Sequence, residues 1–338
     1  MDARWRRRSV LIAARSCFEW DLAAYVADAL TRDGVGIAVF EYRAYESPET
    51  AADALVNAVR ERRPDLLLGL KLDAVAPAAL DRVRALGVPI ALWYTDCFTP
   101  EVPEWIVPLL AHVDAFFTTA EGMVDAYQAL CPAPVRWLCE GVHLPAFPSV
   151  ETIAARYRSD VAFLGNVFQP PVADETLALR RLRLLSRIGE RFDLRVWGPQ
   201  SPDFDRHGDP LPFRTVRWPA YNAECVKVCR ASGVVLGINT VDDVRLYFSN
   251  RTFHTLASGG FHLTGYVPGL ETMFDNGRHL VWFRSDDECL DLIGHYLDRP
   301  DERARIAAEG QRHVRERYSL AGQVRTLLAY LDELHVAS

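Results

Sequence analysis

Between residues 9 and 145, short runs that are apolar almost throughout alternate with stretches of helical periodicity. The runs are "SVLIAA", "VGIAVFEY", "PDLLLGLKL", "VPIALWYTD", "DAFFTTA" and "APVRWLCEGV"; between them stand "DLAAYVADALTRDG", "TAADALVNAVRERR", "APAALDRVRALG", "PEWIVPLLAHV" and "EGMVDAYQALCP". A strand with no polar face must be covered on both sides, and strands reached each time through a helix pair in parallel. The pattern predicts a Rossmann-like half with a parallel sheet at its centre.

The segment "EGVHLPAFPSVETIAARYRSD" then breaks the rhythm with Gly141, Pro145 and Pro148, as an interdomain linker does. A second series follows: "DVAFLGNV" as strand and turn, the basic amphipathic helix "ADETLALRRLRLLSRIGERF", the strand "DLRVWGP", the helix "YNAECVKVCRAS" and the strand "GVVLGINT". "HLVWFRS", "DDECLDLIGHYLDRP" and a charged helical tail from Asp301 to about Leu334 complete it. At 338 residues the chain exceeds what one hydrophobic core sustains. The expected organisation is an amino-terminal domain over 1–145, a second α/β domain over 146–320 and a final helix over 321–338. Two such domains place ligands in a cleft at the carboxyl ends of their strands.

Charge and cysteine content narrow the function. The formal charge of −7 offers no broad positive field for nucleic acid, although a local nucleotide site remains open. The basic opening "MDARWRRRSVLIAARS" has its apolar run cut at Arg15, and no run reaches the roughly 20 apolar residues of a membrane helix, so the cytoplasm is the expected location. Seven scattered cysteines suit reduced thiols. Cys225 and Cys229 share a helix face without a third ligand at zinc spacing, so neither metal nor cofactor is expected. Oligomeric state is left open.

The stretch "YFSNRTFHTLASGGFHLTGYVPGLETMF", residues 247–274, concentrates chemistry. Ser249, Asn250 and Thr252 stand at the start of an expected helix, where unpaired amides and partial positive charge suit a phosphate, and Arg251 adds a bidentate donor. A plain helix cap by Ser249 or Asn250 accounts for the same residues. Further on, Pro268 and Gly269 make a turn whose backbone can approach a ligand, and Glu271 opens a second short helix, where it either takes sugar hydroxyls or complements the helix dipole.

The ordered series "DVAFLGN", "SNRTFHTLASGGFHLTGYVPGLETMF", "HLVWFRSDDECLDLIGHYLDRPDERARIAAEGQRHVRERYS" and the linker "VRWLCEGVH" resembles the carboxyl-terminal domain of GT-B glycosyltransferases of the group 1 type, nearest the CgeB-like (spore maturation protein) branch. The resemblance covers most of residues 135–320; "LWYTDCF" is similar to that branch's aromatic-acid segment. It implies two Rossmann-like domains facing across a cleft. The second binds a nucleotide diphosphate sugar, the first an acceptor that the sequence does not identify, and the last helix crosses back. The implied activity is metal-independent hexosyl transfer (EC 2.4). Carried onto this chain, the resemblance puts Ser249, Asn250, Arg251 and Thr252 near the diphosphate, with Gly165 and Asn166 bordering the same cavity. Asn239 falls beside base or ribose, and Gly269, Leu270 and Glu271 near the sugar. Trp218, Pro219 and Tyr221 lie where the fold builds its base pocket, or else close a buried strand.

Two departures stand out. Many retaining members carry two glutamates with seven residues between them, and this chain has Leu246 and His254 at those positions. His254, taken here with Asp96 as a catalytic candidate, offers one acceptor when neutral or a charge against phosphate when protonated. The usual basic pair is incomplete, since no lysine or arginine follows "LGN" until Arg180. Asp96, the sole carboxylate of "ALWYTDCF", is nominated to bind the acceptor or act as its base, the alternative being a turn cap; His112, His143 and Glu121 are weaker candidates. A non-catalytic GT-B-like binding partner and a nucleotide-sugar epimerase are the competing functions.

Overall fold

In a computed structural model of the chain, the described residues are 5–167, 175–198, 201, 203–204, 208–217, 220–239 and 241–336. The chain divides into two compact units. The first comprises Met1–His143, Val244–Tyr247 and Leu320–Ser338; the second comprises Leu144–Asp243 and Phe248–Ser319.

The first unit is built on β1 (Ser9–Ala14), β2 (Gly36–Glu41), β3 (Leu66–Leu70), β4 (Ile90–Tyr94), β5 (Ala115–Thr118) and β6 (Val135–Trp137). They form one parallel sheet in the order β2-β1-β3-β4-β5-β6. β3, β4 and β5 are buried at every residue, as unbroken apolar runs require, and each buried leucine of β3 contributes roughly 1.5–3 kcal/mol. The edge strands β2 and β6 alone carry exposed residues. The helix Pro48–Arg62 starts where Ser47 and Thr50 cap each other reciprocally, with Pro48 in the first turn. The helix Leu320–Val336 is tied into this unit: Asp332, buried, accepts from Trp5 Nε1 (2.7 Å) and Arg8 Nη1 (2.9 Å), and Arg325 grips Asp33 with two bonds of 2.6 Å.

The second unit repeats the plan with β7 (Ser159–Leu164), β8 (Leu194–Trp197), β9 (Arg214–Val216), β10 (Ser232–Gly237), β11 (His262–Gly265) and β12 (Val281–Phe283), parallel in the order β12-β11-β10-β7-β8-β9. Its core joins Val161, Phe163, Val234, Leu236 and Leu263 of the central strands to Leu184, Leu185 and Ile188 of one helix and Leu290 and Ile293 of another.

Each sheet reverses its winding direction once, between β1 and β3 in the first and between β7 and β10 in the second. At such a switch point the connections leave in opposite directions and open a crevice at the carboxyl ends of the strands.

Several elements depart from the sequence expectation. The helical tail is two helices, Pro300–Arg317 and Leu320–Val336. Tyr318 leaves the helical conformation (φ −124°, ψ 44°), and its ring lies against Phe253, Phe274 and His313 at 5.5–5.8 Å. The helices expected over "PEWIVPLLAHV" and "EGMVDAYQALCP" shrink to Val107–Leu110 and Val124–Gln128. Pro108 is tolerated only in the first turn of its helix, which bars extension towards the amino terminus. Among the described residues no helix is long and apolar enough to cross a membrane.

Candidate active site

The second unit's switch point is lined by the residues that follow β7 and β10. Gly165 has φ +143°, and a Cβ on it would sit 3.0 Å from Cζ and Nη2 of Arg251. The absence of a side chain is therefore what lets the guanidinium lie flat against the backbone at the end of β7. Arg251 Nη1 donates to Ser249 Oγ (2.9 Å), which fixes the fork on its own turn. Asn239 knits the edge together: its Nδ2 donates to Gly265 O (3.2 Å), and its Oδ1 accepts from Ser249 N (3.1 Å). Both ends of its amide are thus engaged within the protein.

A second cation, not singled out from the sequence, comes from the basic amphipathic helix that follows β7. Arg181, in the helix Glu175–Gly189, is buried, and its Nη1 and Nη2 donate to the carbonyls of Asn166 (3.1 Å) and Ile238 (3.3 Å). It therefore braces the two loops on either side of the crevice. The signal was spacing: Arg181 shares the three-to-four-residue stripe of Leu184, Leu185 and Ile188, so an arginine on an apolar stripe marked it. With Arg180, Ile238, Asn239 and Phe283 it walls a small recess of about 40 Å³.

The helix Arg251–Ser258 begins as expected, but its first turn is not fully open. Thr252 is buried, its N–H donates to Ser249 O (3.0 Å), and its hydroxyl meets His262 Nε2 at 3.1 Å. His262 Nδ1 lies 3.0 Å from Val235 O, which can only accept, so Nδ1 carries the proton and Nε2 accepts from Thr252. Thr252 thus serves the packing of its helix on β11, a structural role where contact with phosphate was expected. Asn250 precedes the helix without a side-chain cap bond, and its carbonyl accepts from His254 N (3.1 Å). His254 packs its ring on Phe147 at 4.8 Å between centroids. Burial, and then the charge of Arg251, lower its pKa to about 4, so the imidazole is neutral at pH 7.

Gly269 adopts a left-handed turn (φ +86°), followed by the short helix expected there, a three-residue 3-10 helix over Leu270–Thr272. Leu270 is buried, and the exposed Glu271 accepts from Tyr266 Oη (2.9 Å). Tyr221 is exposed and precedes the helix Asn222–Ala231. Trp218 and Pro219 lie outside the described residues.

In the first unit, Asp96 follows β4 at the carboxyl edge and forms an ion pair with Lys71, which follows β3. Three tyrosines surround it. Burial foremost, and then the Asp96 charge, raise the pKa of the Tyr94 and Tyr247 hydroxyls far above the ordinary range; for Tyr127, burial leads, then Cys97 and Asp96. The weaker candidates all have internal partners. His143, buried, stacks on Tyr25 and lies 3.2 Å from Asp28; His112 lies 2.7 Å from Asp81; Glu121 pairs with Arg245.

Among the described residues no group of three potential ligands could hold a metal. Cys225 and Cys229 are buried free thiols with their sulfurs 3.7 Å apart. A cavity of about 640 Å³ lies at the amino-terminal edge of the first sheet beside Trp5, Asp65 and Asp114, away from the crevice end of the strands. Polar residues that converge at the carboxyl edge, and not cavity size, therefore locate the candidate site.

Two parallel six-stranded sheets, each with one switch point, match the α/β fold of the GT-B glycosyltransferases. Residues 178–329, a little under half of the chain, match the family described as Glycosyl transferase-like. Among solved structures, HepE from Anabaena, crystallised with UDP and glucose, is similar at TM-score 0.68 and 11% identity, over 97% of this chain and 100% of that one. Sucrose-phosphate synthase from Thermosynechococcus elongatus is similar at TM-score 0.65 and 12% identity, over 98% and 100%. The UDP-forming α,α-trehalose-phosphate synthase from Burkholderia xenovorans gives 0.65 and 13%, over 97% and 99%. At such identities the likeness is one of fold. No curated protein sequence matches the chain.

Proposed function

We propose that the chain is a glycosyltransferase that moves a hexosyl group from a nucleoside diphosphate sugar, with UDP as the carrier, to an acceptor hydroxyl. The observation that carries this is the Arg251 guanidinium laid on the side-chain-free backbone of Gly165 at the switch point of the second sheet. A planar cation there, with Ser249 beside it, suits the two negative charges that gather on a departing diphosphate. The UDP bound by HepE and the family match over residues 178–329 support the choice of donor. His254, neutral, replaces an anionic ribose acceptor with a single hydrogen-bonding nitrogen. Asp96 takes the acceptor proton. Charge on the diphosphate is met by side chains, so no metal enters the scheme.

The test is thermal. UDP raises the melting temperature of the parent chain, Arg251→Ala abolishes that rise, and UDP release from UDP-glucose proceeds in EDTA. An Arg251→Ala chain with the full shift refutes the phosphate assignment. UDP binding with no turnover identifies a non-catalytic partner protein instead, and isomerised sugar nucleotide without acceptor identifies an epimerase.

A further inference from the structure

We propose that the left-handed turn Lys71–Leu72 is a positioning device for Asp96: it holds the Lys71 ammonium on Asp96 Oδ2 and leaves Oδ1 to take the proton of the attacking hydroxyl. This rests on the glycosyl-transfer reading above and adds a residue that neither the sequence argument nor the family match assigns.

The first observation is conformational. Lys71 and Leu72 have φ +74° and +62°, consecutive left-handed residues without a glycine between them. For a residue with a side chain such a conformation is unfavourable, and it persists only where its surroundings hold it. Here they do. Leu72 is buried, with Cδ1 2.6 Å from where a Cβ on Gly69 would stand, so only glycine in β3 admits the fold-back. Leu72 N donates to Leu70 O (3.1 Å), and Lys71 N donates to Trp93 O of β4 (3.2 Å). Tyr42, which follows β2, reaches both Leu70 O (3.3 Å) and Asp73 Oδ1 (2.9 Å); Arg43 Nη2 donates to Asp73 Oδ2 at 2.9 Å, and Arg15, which follows β1, lies 3.9 Å from it. Groups on or just after β1, β2 and β4 therefore fasten one strained turn, and the turn lies on the switch point between β1 and β3.

The second observation is what the turn presents. Lys71 pairs with Asp96 Oδ2 while its ammonium lies 5.7 Å from the Phe98 ring, and both partners remain partly exposed. Asp96 Oδ1 has no hydrogen bond among the described residues. An ordinary surface ion pair needs no strained backbone, because a lysine stem is long and flexible. In the step itself, the hydroxyl oxygen bonds to the anomeric carbon and its proton passes to Asp96 Oδ1. The bond from that carbon to the diphosphate breaks, and its electron pair leaves with UDP.

Two variants test this. Lys71→Gly adopts the same turn without strain but lacks the ammonium; Lys71→Arg keeps the turn and the cation. With UDP-glucose as probe and water as acceptor, Lys71→Gly is expected to stay folded and keep the UDP-induced thermal shift. It should lower kcat for UDP release by roughly 10²-fold with KM unchanged, and Lys71→Arg should recover part of the loss. A Lys71→Gly chain that releases UDP at the parent rate, or loses rate only together with its fold, overturns the proposal. A parent chain that releases no UDP refutes the underlying function instead. The pair is then decided by denaturation: non-additive effects of Lys71→Gly and Asp96→Asn support the positioning, and additive effects overturn it.

Discussion

At the scale of single residues, the second unit's crevice depends on atoms that are absent as much as on those present. Gly165→Ala places a methyl 3.0 Å from the Arg251 guanidinium at φ +143°. The expected cost is about 1–3 kcal/mol of stability, with a weaker UDP-induced thermal shift, read by melts with and without UDP. His262 gives a pH signature. Its pKa is lowered to about 4 by burial, against about 6.5 in an unfolded chain. Only the unfolded state therefore binds a proton between those values, so stability is intact above pH 6.5, declines as the pH falls towards 4 and is lost no further below it. About 3 kcal/mol is at stake for His262, and His254, lowered to about 4 as well, acts in the same window, so His262→Asn should lessen the slope and His254→Asn with it should remove most of the rest in urea titrations between pH 7.5 and 4.5. Arg251 and Ser249, two residues apart at one helix start, could be read together from the sequence, whereas the contacts of Arg251 with Gly165 and of Asn239 with Gly265 join residues far apart in the chain. Arg181 stood out only as an arginine on an apolar stripe, since the carbonyls it braces, of Asn166 and Ile238, are as remote, and the hydroxyl of Thr252 meets His262 of the next strand.

At the scale of elements, the apolar runs announced the central strands because β3, β4 and β5 have no polar face to confuse the period. Helix limits were less legible. The charged pattern of residues 301–334 continues through Tyr318, and the break there coincides with aromatic contacts to Phe253 and Phe274, remote in sequence. The helix Pro300–Arg317 also contains a glycine that composition alone would condemn. A Cβ on Gly310 would lie 2.1 Å from His279 O, so backbone packs directly on backbone there. Gly310→Ala improves helix propensity by about 1 kcal/mol but forces that contact apart. The clash wins, and a net destabilisation of about 1–3 kcal/mol is expected in equilibrium unfolding followed by circular dichroism.

At the scale of the molecule, two sheets with separate cores should unfold as separate transitions in calorimetry. UDP should raise the transition of the unit that contains Arg251, and one that moved both equally would count against assigning the ligand to the second unit. Removal of residues 320–338 should abolish the first unit's transition and spare the second, because Asp332 and Arg325 hold Trp5, Arg8 and Asp33. That dependence also sets an order in time. A nascent chain that has reached residue 319 has every strand of both sheets, yet Trp5 still lacks its partner. The half synthesised first is therefore completed last, and until then its indole is a surface that chaperones, proteases and neighbouring ribosomes can find.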